Sequence, residues 1–184
     1  MTDNIRLFIG AEIPTGLKDF VMQQSKIYAP AHIKMVPAAN LHLTVFFIGN
    51  KPASELPFIL SQTEKIAAAQ SDFTLNLHKI EPGPSTLKPR LVWARFHQHS
   101  EFGNLAFKLQ QEIAPEIGLP KEMIPHTTLA RLTKKERPPF NLPTLLPPSE
   151  TSFKITRLAL WQSELAMAHP KYTILKSFSF GGIS

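Results

Sequence analysis

Apolar and polar positions follow two rhythms along this chain, and the switches between them divide it into short elements. "IRLFIGAEI" (5–13) has the near-alternation of a strand and is stopped by Pro14, which has no backbone donor. The period then lengthens: Leu17, Phe20, Val21, Gln24, Ile27 and Tyr28 fall at helical spacing, with Thr15 placed to cap the first turn. A connector over 32–40 leads to "LHLTVFFIG" (41–49), an apolar run of strand length. A second helix is predicted over about 53–69, where Leu56, Ile59, Leu60, Thr63, Ile66 and Ala67 share a face.

"FTLNLHKI" (73–80) and "RLVWARF" (90–96) have strand composition and flank the turn-rich "EPGPSTLKP". A third helix over about 100–115 carries Phe102, Leu105, Ala106, Leu109 and Ile113 on one side. The strand "IPHTTLARL" (124–132) follows, then a Pro-rich loop over 134–150. Two closing strands, "FKITRLALWQSEL" (153–165) and "YTILKSFSF" (172–180), complete the pattern. Strands interspersed with three helices make the fold α/β or α+β, and the length suits one domain over 1–184.

Two of these strands carry polar side chains where packing would favour Leu or Val. They share one spacing, His42-x-Thr44 and His126-x-Thr128, and stand 84 residues apart. A duplicated strand–helix–strand lobe produces such a separation. Neither half has enough apolar elements to close a core alone, so two lobes within one domain are expected. Residues i and i+2 of a strand face the same way, about 6.6 Å apart, so an imidazole and a hydroxyl at this spacing can grip one small anion.

Two such strands facing each other would surround a phosphate with two His and two Thr. The hydroxyls can donate to non-bridging oxygens. One imidazole can take a proton from water while the other protonates a leaving oxygen, and an unperturbed pKa of about 6.5 suits both tasks. Either histidine alone would fit a core residue bonded to backbone; the matched pair favours chemistry. "HQH" (97–99) has ligand spacing but sits in a polar turn without a third ligand, so no metal and no cofactor is expected.

Composition narrows the setting. There are 20 Lys and Arg against 14 Asp and Glu, a net charge of +6, which raises the prior for a phosphate-bearing partner. No cysteine is present, so disulfides and thiolate chemistry are excluded. No apolar run reaches the roughly 18 residues of a membrane span, and "MTDNIRLFIG" lacks the features of a signal peptide. A cytoplasmic protein that does not engage a membrane is expected.

With "RLFIGAEIP", "NLHLTVFFIG", "PRLVWARF", "PHTTLAR" and "YTILKSFSF" in place, the chain resembles the 2H phosphoesterases along nearly its whole length. Within them it is most similar to the RNA 2′,3′-cyclic phosphodiesterases, also named 2′-5′ RNA ligases. The resemblance implies an α+β fold of two pseudo-symmetric lobes, each an antiparallel sheet flanked by helices, around a central cleft. It implies that a terminal 2′,3′-cyclic phosphate on RNA is opened to a 2′-phosphate without a metal, with reverse 2′-5′ joining as a possible second activity. The partner is then an RNA end; a monomer is expected.

The same resemblance carries His42 and His126 as catalytic residues, His42 as proton donor and His126 as acceptor. Thr44 and Thr128 become phosphate ligands, with Arg131 as a further phosphate contact. Simple alternation puts Arg131 on the face opposite His126, so a bulge or the strand's end must redirect it. For base stacking, Phe46 shares the face of His42 and Thr44 in a regular strand, whereas Phe47 should point to the core. Trp93, Trp161 and Tyr172 are expected in the core. Two other readings of the pattern stay open. One is a phosphodiesterase for 2′-5′ oligonucleotides or small cyclic phosphates; the other is a non-catalytic nucleotide- or RNA-binding module.

Overall fold

Nine strands form two antiparallel sheets in the computed structural model, which describes residues 3–29, 33–85, 88–132, 142–167 and 169–182. The first sheet contains β1 (Asn4–Glu12), β3 (His42–Pro52), β8 (Arg157–Glu164) and β9 (Lys171–Ser179), in the order β3-β1-β8-β9. The second contains β2 (Ile33–Met35), β4 (Phe73–Gly83), β5 (Leu91–Phe96), β6 (His126–Leu132) and β7 (Ser152–Ile155), in the order β2-β6-β5-β4-β7. Within each, a pair of neighbours follows the expected repeat: β1 with β3 and β5 with β6, each pair separated in sequence by a helix. The fold is therefore α+β with two pseudo-symmetric lobes.

The helices pack across the two halves. Helix α1 (Thr15–Ser25) leaves the first sheet yet packs on β6 of the second. Helix α3 (Ser100–Ile113) leaves β5 of the second sheet yet packs on β3 of the first, alongside α2 (Leu56–Ala68). Each repeat thus covers its partner's sheet. Most of the expected apolar faces are buried: Leu17 and Val21 in α1, Ile59, Thr63 and Ala67 in α2, and Phe102, Leu105, Ala106, Leu109 and Ile113 in α3; Ile27, expected on the first face, lies past the end of α1 and is 55% exposed. One cluster of buried side chains takes members from both sheets, including Leu43 and Val45 from β3 and Leu129 and Ala130 from β6.

Two expectations change. Thr15 is the first helical residue rather than the cap; Pro14 occupies that place and makes no side-chain bond to the helix. The predicted strand over 153–165 breaks at Thr156, so that β7 joins β4 in the second sheet while β8 crosses to β1 in the first. A continuous apolar run has the same pattern on either side of such a crossing, so periodicity cannot reveal it. Of the Pro-rich loop expected over 134–150, residues 134–141 lie outside the described residues, as do 86–87 in the turn after β4 and His32 in the connector. Among the described residues no helix is long and apolar enough to cross a membrane.

Candidate active site

Strand β3 is an edge of the first sheet and lies against β6 of the second, which brings the two His-x-Thr segments together. The contact is specific: Thr127, between His126 and Thr128, is 1% exposed and donates its hydroxyl to the backbone carbonyl of His42 at 3.1 Å. The residue at the equivalent place in β3 is Leu43, fully buried. Apolar packing holds one strand and a hydrogen bond ties the other to it.

Both strands carry a bulge at the same place. In β3, Thr44 pairs with Gly10 and Phe46 with Ile9, leaving Val45 as an extra residue. In β6, Thr128 pairs with Trp93 and Ala130 with Val92, leaving Leu129 extra. An inserted residue interrupts the alternation of faces. Val45 and Phe46 are therefore both buried, and so are Leu129 and Ala130. The residues that follow, Phe47 and Arg131, return to the face of the histidines. The assignment of Phe46 to the cleft is thus corrected: Phe46 is 2% exposed, and Phe47, at 43%, lines the cleft. The bulge at Leu129 is the redirection that Arg131 required. Gly10 sits where β1 meets the β3 bulge; a Cβ there would lie 2.6 Å from the Leu43 carbonyl oxygen, so no larger residue fits.

The result is a cleft of about 610 Å³ lined by His42, Thr44, Phe47, His126, Thr128, Arg131 and Tyr172, with Arg6 and Lys34 further along its walls. Both imidazoles are held the same way. Nδ1 of His42 lies 2.7 Å from the Asn40 carbonyl oxygen, and Nδ1 of His126 lies 2.8 Å from that of Ile124. A carbonyl only accepts, so each ring carries its proton on Nδ1 and turns Nε2 to the cleft. Nε2 of His42 is 3.0 Å from Oγ1 of Thr44, which in the neutral ring means that the hydroxyl donates.

Aromatic rings surround His42 more closely than His126. Phe8, Tyr172 and Trp161 lie 4.6, 5.0 and 5.7 Å from it between ring centroids, Tyr172 edge to face. Among the described residues, Trp93 is the one ring that meets His126, at 4.8 Å, and its indole lies over Gly83, where any Cβ would touch the ring. Trp93 and Trp161 are buried as expected; Tyr172 lines the cleft instead. Burial pushes the His42 pKa down to about 4. The Asn40 carbonyl opposes this, while His126, Arg131 and Lys18 add to it by charge. His126 is lowered for the same first reason, with the Ile124 carbonyl opposing and Arg131 assisting. Without an anion beside them, both rings are neutral at pH 7.

The rings packed on the histidines and the cations Arg6 and Lys34 have no signature in sequence, because every one comes from another strand or loop; the carbonyls that orient the imidazoles are local, two residues before each. Among the described residues, no group of three or more His, Cys, Asp or Glu is placed to hold a metal.

Known proteins are similar to this chain in sequence and fold. Residues 7–93 match the family described as LigT like Phosphoesterase. A curated RNA 2′,3′-cyclic phosphodiesterase of Thermus thermophilus is 30% identical over 187 residues, covering 97% of this chain and 91% of its own. A crystal structure of TT0787, also from Thermus thermophilus, superposes with a TM-score of 0.84 at 30% identity, covering 96% of this chain and 98% of that one. The structure of Escherichia coli LigT complexed with 3′-AMP gives a TM-score of 0.77 at 25% identity, with 97% and 99% covered.

Proposed function

The chain belongs to the LigT-like phosphoesterases, a family of the 2H type, and we propose on that footing that it opens terminal 2′,3′-cyclic phosphates of RNA to 2′-phosphates. The observation that carries the reading is the convergence of two His-x-Thr pairs and Arg131 on one cleft. The relatives named above support the substrate, and the 3′-AMP complex of the Escherichia coli protein supports a nucleotide end as the occupant.

The chemistry follows from the tautomers. With the cyclic phosphate between the two strands, Thr44 and Thr128 donate to non-bridging oxygens and Arg131 faces the charge that grows on them. Nε2 of His126 takes a proton from the attacking water, whose oxygen bonds to phosphorus. The bond from phosphorus to O3′ breaks, and Nε2–H of His42 supplies the proton that makes it a hydroxyl. The product is a 2′-phosphomonoester, and the two imidazoles have exchanged protonation states. With the 5′-hydroxyl of a second RNA end in place of water, the same transfers form a bond from that oxygen to phosphorus and break the bond to O3′, which is 2′-5′ joining.

Because His42 must begin protonated, the substrate's own negative charge has to raise it from its depressed resting value. The proximity of Asn40's carbonyl, which accepts from Nδ1, supports the cation once formed. Phe47, exposed beside the cleft, replaces Phe46 as the surface for the terminal base. Both histidines come from one chain, which supports a monomer as the working unit, and the lack of cysteine suits the cytoplasm.

His42→Ala and His126→Ala should each lower kcat for a nucleoside 2′,3′-cyclic phosphate by about 10³-fold or more with the fold intact, assayed in chelator with product analysis. Full turnover by either variant would refute two-histidine catalysis. Shortening of the RNA chain would point to an oligonucleotide phosphodiesterase, and tight binding without turnover to a binding module.

A further inference from the structure

The cleft extends beyond the two-histidine site, and its outer part has the chemistry of a second anion site. Arg6 and Lys34 both line it, and both are exposed. Many cations elsewhere sit against carboxylates: Lys51 against Glu55 and Glu116, Lys79 and Arg95 against Glu81, Lys154 against Asp72. Arg6, Lys34 and Arg131 have no carboxylate partner among the described residues, and no carboxylate is among the residues that line the cleft. Three unneutralised cations facing one cavity focus a positive field there that attracts an anion.

Register shows that Arg6 and Lys34 stand apart from the reacting phosphate. On β1, Gly10 lies opposite Thr44, and Arg6 is four residues further along, about 13 Å at the rise of a strand. On the other wall, Lys34 pairs with Arg131, one strand spacing of about 4.8 Å outside β6. The bulges that bring out Phe47 and Arg131 mark the end of the cleft at which these cations gather. Arg6 is already held there, its guanidinium 4.8 Å from the centroid of the Phe47 ring. One cation comes from each lobe, so an anion between them spans the cleft.

Building on the cyclic phosphodiesterase reading, we propose that Arg6 and Lys34 form a second phosphate subsite, taking the phosphodiester on the 5′ side of the terminal nucleotide. The cyclic phosphate then occupies the His-x-Thr pairs, and the preceding phosphate is clamped between the lobes. The preferred substrate is accordingly an RNA end of at least two nucleotides, and a free nucleoside cyclic phosphate is a poor one. Backbone phosphates carry no sequence information, so the subsite selects for chain length and not for sequence.

The test compares a nucleoside 2′,3′-cyclic phosphate with a dinucleotide ending in the same group. Wild-type protein should favour the dinucleotide in kcat/KM by about 10-fold or more, within the range of a charge-assisted phosphate contact. Arg6→Gln combined with Lys34→Gln should abolish that preference through KM, changing mononucleotide turnover less than about twofold and flattening the salt dependence by about 0.7 in log–log slope per lost contact. Arg6→Lys should keep most of the preference, separating charge from stacking on Phe47.

Equal loss on both substrates, or an undiminished preference in the double variant, would overturn the subsite. Equilibrium binding of the 2′-phosphorylated mononucleotide and dinucleotide products supplies a readout that needs no turnover. If wild-type protein hydrolyses neither substrate, the phosphodiesterase reading fails, while a dinucleotide advantage in binding that the double variant loses would still identify the subsite, and its absence would remove it.

Discussion

His42 and His126 each spend one ring nitrogen on a carbonyl two residues back and keep the other for the cleft. Burial depresses both pKa values, His42 to about 4. The unfolded chain, with histidine near 6.5, therefore binds protons that the native state refuses, and stability contributed by the neutral rings is lost as pH falls from about 6.5 toward 4. An anion between the rings reverses this by raising both values, so anion binding takes up protons and strengthens on acidification. Sulfate keeps its charge across the range and is the cleaner probe. At fixed sulfate, thermal unfolding should shift upward by several degrees more at pH about 5.5 than at about 7.5. Exchange of both histidines for Asn should erase the difference; an equal shift at both pH values in the unaltered protein would mean that the rings do not meet the anion.

At the scale of elements, the two bulges decide what the cleft contains. Phe46 and Phe47 are adjacent and chemically identical, so only the extra residue at Val45 determines which packs and which is offered to a base. Phe46→Ala should cost about 3–5 kcal/mol of stability, as for other buried aromatic truncations. Phe47→Ala should leave the unfolding midpoint nearly unchanged and raise KM for nucleotide substrates about 10-fold, in keeping with 1–3 kcal/mol per stacked base. Urea denaturation and steady-state kinetics on the same two variants would expose a reversed pattern at once. The His-x-Thr spacings were legible in "LHLTVFFIG" and "PHTTLAR" because period two needs nothing beyond the strand itself. Residues after Thr44 and Thr128 were not, since a bulge depends on the partner strand, here on β1 at Gly10 and β5 at Trp93.

For the whole molecule, the decisive contact is the one between lobes. Thr127→Val keeps the shape of a buried side chain but removes its bond to the His42 carbonyl. The loss should lower the unfolding temperature by a few degrees, as expected for about 1 kcal/mol in a chain of this size. It should also reduce kcat about 10-fold with little change in KM, because the histidines need their mutual placement only when protons move. An unchanged kcat would assign the spacing of the lobes to packing alone. The helices exchanged between lobes, with one core cluster spanning both sheets, support a single domain over 1–184. One cooperative unfolding transition in this variant and in the parent, seen equally by tryptophan fluorescence and circular dichroism, is the expected behaviour; two separated transitions would argue against it.

What the sequence by itself determined was local and periodic. The helical faces, most strands, both His-x-Thr pairs and the family likeness follow from side chains read a few positions at a time. Tertiary structure alone decided that the chain crosses between sheets at Thr156, that Phe47 and not Phe46 faces the cleft, and which rings crowd His42. Those outcomes depend on pairing between strands far apart in sequence, where one inserted residue reverses a face and no nearby residue records it.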